Sequence, residues 1–228
     1  MLTNIKKVVI WGDSVAKGVI YDETREKYAL AQAPAASIAA EKLGVEVINH
    51  SRMGATVADG ERIMAQDLRR ELTADMAIIA YGGNDCDFDW HAVSQAPDAV
   101  HEPKTPAPLF EEKLLGMVTT VREAGIEPML VTLPPIQSER YFNFLSRGEL
   151  NAESILRWLG DKNHIYRYHE RYSALVSQIA RKCGCRLLDL RADFLALWNA
   201  ENLFCSDGIH PNAEGQKFMG EATVNALA

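Results

Sequence analysis

The sequence predicts an α/β fold in which a parallel sheet is covered by helices on both faces, and three observations predict it. Short apolar runs, each the length of a buried strand, recur five times along the chain. Segments with apolar residues spaced by three and four lie between them. Glycine or proline punctuates most of the boundaries. Strands separated in this way by helices pair side by side through crossovers, which leaves both sheet faces to be covered.

The elements follow in order. Val8 to Trp11 reads as the first strand, stopped by the small polar turn Gly12-Asp13-Ser14. Residues 34–43 (PAASIAAEKL) suit a helix closed by Gly44. VEVINH gives a second strand, residues 57–70 a helix, and MAIIAY (76–81) a third strand. Phe110, Leu114, Met117, Val118 and Val121 fall on one helical face, and Gly125 closes that helix. PMLVTLPP gives a fourth strand halted by two prolines. Tyr168, Tyr172, Leu175, Val176 and Ile179 repeat the helical spacing, Gly184 ends it, and CRLLDL is the fifth strand. Pro211 is expected in the first turn of a last helix, where its missing N–H costs nothing.

Two stretches depart from this compact alternation. Residues 86–108 carry four prolines, and residues 136–163 separate the fourth strand from its next helix. Connections of such length cover a site or carry function, so both read as rim insertions in one domain spanning residues 1–228. A chain of 228 residues buries one sizeable core. The net charge of -7, without a basic run, argues against nucleic acid and against an anionic membrane surface. No segment reaches the length of a membrane-spanning helix. The N-terminus enters the first strand without the apolar region of a secretory signal, so a cytoplasmic location is expected. Cys86, Cys183, Cys185 and Cys205 read as reduced thiols, since KCGCR lacks the second cysteine pair of a zinc site. No metal and no cofactor is expected, and nothing in the pattern specifies an oligomeric state.

Ligands of open α/β sheets bind beyond the carboxyl ends of the strands. At those ends stand Gly12-Asp13-Ser14, Ser51-Arg52-Met53-Gly54, Gly82-Gly83-Asn84-Asp85 and, before the last helix, Asp207-Gly208-Ile209-His210-Pro211. Acyl transfer uses such a set. A serine hydroxyl attacks well only if a base takes its proton, and the imidazole of His210, with an ordinary pKa of about 6.5, is suited to do so. Asp207, three residues earlier, can fix the ring's tautomer. The backbone N–H groups of Ser14 and Gly54 and the side-chain amide of Asn84 would serve as oxyanion donors.

Each block alone has a plainer explanation: a loop start, a turn glycine, turn residues at a strand end, a helix cap. Their occurrence together, in order, at one sheet edge favours chemistry. The four blocks resemble those of the SGNH (GDSL-type) hydrolases, whose name-giving residues map onto Ser14, Gly54, Asn84 and His210. The resemblance runs from about residue 8 to 220. It implies a flavodoxin-like three-layer α/β/α sandwich with a five-stranded, mostly parallel sheet, serine esterase or lipase chemistry, and no metal. Val15 stands where that family often has leucine, at a tolerant position. Gly54 is preferred to Gly60, which falls inside the next helix. The G-x-S-x-G signature is absent around Ser14.

Asp13 precedes the serine in a tight turn and is expected to bond nearby backbone. His50 reads as a hydrogen-bonded strand-end residue. His91, His101, His164 and His169 lie in insertions or on helices without ligand spacing. Tyr141, Phe142 and Phe144 in the second insertion, and Trp90 in the first, could wall an acyl pocket or simply pack the insertions down. The reading that follows is a serine hydrolase of small-molecule carboxylic esters, working through an acyl-enzyme on Ser14, on small or carbohydrate-linked acyl groups. A lysophospholipase or thioesterase of the same fold, or a non-catalytic binding protein on this scaffold, are the alternatives.

Overall fold

The computed structural model describes residues 5–227. The chain runs β1 (Lys7–Gly12), α1 (Ser14–Lys17), β2 (Val19–Asp22), β3 (Lys27–Leu30), α2 (Ala35–Leu43), β4 (Glu46–Asn49), α3 (Val57–Arg69) and β5 (Met76–Ala80). It continues through α4 (Trp90–Gln95), α5 (Ala107–Glu123), β6 (Glu127–Val131), α6 (Ser138–Leu145), α7 (Ala152–Leu159) and α8 (Asn163–Cys183). β7 (Arg186–Leu188), α9 (Leu190–Leu195), a 3₁₀ turn (Ala200–Leu203) and α10 (Ala213–Leu227) complete it.

Five strands form one wholly parallel sheet in the order β4-β1-β5-β6-β7. Alternate side chains leave opposite faces of a strand. Val9, Trp11, Ala77, Ile79 and Leu130 therefore pack with α3, α5 and α8, while Val8, Ile10, Ile78, Met129 and Leu188 pack with α2, α9 and α10. The result is the three-layer α/β/α sandwich. From β1 the chain steps outward to the edge strand β4, then returns to lay β5 on the other side of β1. The loops leaving β1 and β5 diverge at this reversal and open a crevice between them. Ser14 leaves one lip and Asn84 the other.

Three features add to or differ from the sequence expectation. Residues 19–30 form an antiparallel hairpin, β2 with β3, outside the main sheet. Pro211 is not in a helical turn: it bridges Phe204 in extended pairing, and α10 starts two residues later. Asn212 caps that helix, its Oδ1 accepting from Gly215 N–H at 3.0 Å, a role asparagine fills better than proline. Finally, the stretches 86–108 and 136–163 contain α4, α6 and α7, which share a third apolar cluster of Phe88, Trp90, Val93, Tyr141, Phe142 and Ile155. Among the described residues no helix is long and apolar enough to cross a membrane.

Candidate active site

Ser14 is the first residue of α1, buried at the end of β1. The turn that delivers it is tight: a side chain on Gly12 would lie 2.6 Å from Ala16 Cβ and 3.0 Å from the Ala80 carbonyl. Asp13 caps α1, its Oδ1 accepting from Val15 N–H at 2.9 Å, so its carboxylate does bond nearby backbone. Burial pushes the Asp13 carboxyl up to about 6, opposed by that backbone bond and by His210 nearby.

The loop before α10 brings the other two groups. Cys205 N–H donates to the His210 carbonyl at 2.8 Å, closing residues 205–210 into a compact turn. Gly208 occupies the left-handed region (φ 79°) within that turn, and a Cβ there would meet the Tyr141 nitrogen at 2.6 Å and the Gln137 oxygen at 2.7 Å. Asp207 is completely buried. Its Oδ1 accepts from the N–H groups of Ile209 and His210, each at 3.1 Å, and its Oδ2 lies 2.6 Å from His210 Nδ1. A carboxylate only accepts, so Nδ1 carries the proton and Nε2 presents a lone pair. Nε2 is 2.8 Å from Ser14 Oγ. The arrangement can draw a proton from the serine hydroxyl and hold the resulting imidazolium against a buried carboxylate.

Asn84 stands on the opposite lip. Its Nδ2 donates to the Ala55 carbonyl at 3.1 Å, and the buried Asp85 beside it accepts from Val57 N–H through both oxygens at 3.0 and 3.1 Å. The β5 loop is thereby tied to the start of α3. Burial raises Asp85 to about 6, opposed by the Thr105 hydroxyl and the Val57 N–H. Gly54, one residue before Ala55, has a positive φ of 74°. It is not among the residues around the cavity at Ser14.

That cavity, of about 80 Å³, is lined by Ser14, Asn84, Trp90, Tyr141, His169 and His210, among others. Trp90 and Tyr141 are held there by one carboxylate: Trp90 Nε1 donates to Asp87 Oδ1 at 2.8 Å and Tyr141 Oη at 3.0 Å. Phe142 and Phe144 lie elsewhere. Phe142 is buried under the Lys162 ammonium at 4.9 Å, and Phe144 meets Tyr21 edge-on at 5.0 Å. A second, apolar cavity of about 100 Å³ lies between the sheet and α2 and α10. It shares Asp13, Val15, Gly83, His169 and Ile209 with the first. Asp67 engages both the His50 ring and Trp11 Nε1 at the end of β1.

Two site neighbours escaped the sequence reading. The hairpin lays the Tyr28 ring 5.1 Å from the His210 ring, and burial followed by the adjacent Asp207 pushes its phenol up. The β-branched and aromatic residues of V-I-Y-D and the run K-Y-A-L on either side of a polar stretch were the faint signal on offer. His169, set aside as a helix residue, lines both cavities.

Comparison with known proteins follows the same lines. The model of the GDSL-like lipase/acylhydrolase family matches residues 10–218. No curated protein matches the sequence. Among solved structures, a lipase/acylhydrolase from Enterococcus faecalis shares 19% identity over 98% of this chain and 95% of its own, with a TM-score of 0.70. An acetyl xylan esterase shares 21% identity over 97% of this chain and 100% of its own, with a TM-score of 0.67. A catalytic mutant of an acetylxylan esterase from Geobacillus stearothermophilus shares 17% identity over 98% and 94% of the two chains, with a TM-score of 0.65. At these identities the structures establish the shared sandwich fold, while the family match over nearly the whole sequence establishes kinship: the chain belongs to the GDSL-like lipase/acylhydrolase family and is a carboxylic ester hydrolase.

Proposed function

We propose that the enzyme cleaves small or carbohydrate-linked acyl esters by double displacement, with Ser14 as nucleophile, His210 as general base and Asp207 as the group that orients it. The observation that carries this reading is the unbroken buried line from Asp207 Oδ2 to His210 Nδ1 at 2.6 Å and from His210 Nε2 to Ser14 Oγ at 2.8 Å. Ser14 Oγ bonds to the acyl carbon as His210 takes its proton, and the tetrahedral oxyanion is met by the Ser14 N–H and the Asn84 amide, with the Gly54 N–H, outside the cavity's lining, as the third donor the family pattern implies. Collapse expels the alcohol, which takes the proton back from His210. Water then enters by the same histidine and releases the acid from the acyl-enzyme.

The small acyl group is supported by the size of the cavity at Ser14, about 80 Å³, and the polar alcohol by its wall of Trp90, Tyr141, Asn84 and His169. Aromatic faces and fixed donors of this kind suit a sugar ring. The acetyl esterases among the structural neighbours point the same way. A longer acyl chain, as in a lysophospholipase or thioesterase, is the second reading, and the adjoining apolar cavity favours it.

A p-nitrophenyl ester series from acetate to palmitate, run with wild type and Ser14→Ala, tests both. The expected result is a Ser14-dependent rate, greatest at acetate. A rate that rises with chain length would move the assignment to the second reading, and equal turnover by a folded Ser14→Ala protein would refute the mechanism.

A further inference from the structure

Arg191, near the start of α9, is only 8% exposed, yet neither of its side-chain hydrogen bonds goes to a carboxylate. Its guanidinium donates to Tyr166 Oη at 3.0 Å through Nη1 and to His169 Nδ1 at 2.7 Å through Nη2, and among the described residues Nε has no partner. The cation also lies 5.3 Å from the centre of the Tyr166 ring. Arginine donates and never accepts, so the contact fixes the imidazole: Nδ1 holds the lone pair and Nε2 holds the hydrogen. Burial, then the charge of Arg191, pushes His169 well below the ordinary histidine range, which keeps the ring neutral.

The Nε2–H so created has no partner among the described residues, and it is not among the side-chain nitrogens and oxygens sealed off from open space there. The ring lines the cavity that holds Ser14 and His210. A donor polarised by an adjacent buried cation thus stands on a residue at the substrate space, which also borders the apolar cavity, and its tautomer is opposite to that of His210. The two histidines of one cavity are preset for different work, His210 to accept a proton and His169 to give a hydrogen bond.

We propose that His169 is a specificity-determining residue whose Nε2–H binds an oxygen of the ester's alcohol portion, a hydroxyl or ring oxygen near the scissile bond. The alcohol side follows from the chemistry of the reaction. An unsubstituted acyl group has one acceptor, its carbonyl oxygen, which the Ser14 and Asn84 donors take up. The acceptor for a further donor is therefore on the alcohol. This inference rests on the ester hydrolase reading above and specifies the leaving group that the site selects.

The test compares phenyl acetate, whose alcohol bears no further oxygen, with a mono-O-acetylated methyl xyloside. Expected for His169→Leu is a loss of about tenfold in kcat/KM on the acetylated xyloside, carried mainly by KM, and less than about threefold on phenyl acetate. His169→Gln, which restores an N–H near the Nε2 position, is expected to recover most of the loss and guards against simple misfolding. Equal losses on the two esters, or no recovery with glutamine, would overturn the proposal. An independent readout is the two-bond ¹H–¹⁵N spectrum of wild type, with His169 assigned by its absence from His169→Gln. Nδ1 is expected unprotonated and Nε2 protonated, and the reverse tautomer or an imidazolium at neutral pH would also overturn it. Should wild type show no Ser14-dependent hydrolysis of phenyl acetate, the hydrolase reading itself falls and takes the role of His169 with it.

Discussion

Replacing Asp207 by asparagine tests the tautomer on which the proposed mechanism turns. The two oxygens of Asp207 do different things: Oδ1 accepts from two backbone N–H groups, and Oδ2 faces His210 Nδ1. An amide nitrogen cannot accept, so the asparagine oxygen must stay on the two N–H groups and its NH₂ must face Nδ1. The other rotamer would strand two buried donors, at about 1–3 kcal/mol each. His210 then has Nδ1 as acceptor and Nε2 as donor, and Nε2–H meets Ser14 Oγ where a lone pair is required. Removal of the base in this way costs about ten-thousandfold in kcat, or about 5.4 kcal/mol of barrier. The fold is retained because both backbone bonds survive. Stopped-time hydrolysis of p-nitrophenyl acetate beside thermal unfolding reads both quantities. A folded Asp207→Asn enzyme within about tenfold of wild-type kcat would refute the reasoning.

Gly208→Ala places a Cβ at 2.6 and 2.7 Å from backbone atoms of Tyr141 and Gln137, at a φ of 79°. Because backbone cannot swing aside, a loss of at least about 2 kcal/mol is expected, seen as a Tm lower by about 5 °C or more, and an unchanged Tm would mean that the loop yields freely. Asp13 is held up to about 6 by burial, so between about pH 4 and 6 the folded protein keeps a proton there that the unfolded chain releases, and this group's contribution to stability falls as pH rises. Asp13→Asn keeps a cap for Val15 N–H and removes the titration, so its stability relative to wild type should rise by up to about 3 kcal/mol from pH 4 to 7 in urea unfolding, where a constant difference would refute the effect of burial.

The parts legible in the sequence were those whose signal is local. Five buried strands announce themselves by apolar runs, and the long helices α5 and α8 by their repeating faces, because covering a parallel sheet demands both. Ser14, Asp207 and His210 were legible for a related reason: each sits beside a glycine or in a turn at a strand end, where the chain's direction is readable. The hairpin was not, since β2 and β3 are mostly half-buried or exposed and lie outside the main sheet. Pro211 misled because one proline suits either a first helical turn or an extended bridge, and only the pairing with Phe204 selects between them. His169 was illegible for a deeper reason. Its meaning comes from Arg191, 22 residues away on another element, and no local pattern encodes which buried residue will lack a carboxylate.

Asp13, Asp85, Asp207 and Arg191 are all nearly or fully buried at the carboxyl edge of the sheet. Burying charge opposes stability unless each ion is well satisfied, so a fold selected for stability alone would place apolar residues there. Each of these groups instead fixes an orientation at the site. Asp207 sets a proton on His210 Nδ1 and so frees Nε2 for Ser14. Arg191 does the converse to His169, taking Nδ1 and leaving the hydrogen on Nε2. Asp85 binds the β5 loop to α3, which keeps Asn84 at the crevice. Asp13 caps the turn that carries Ser14 and lies close to His210. The switch point of the sheet gathers these side chains, but orientation is what makes the gathering chemical, and in this molecule orientation is held by buried charge.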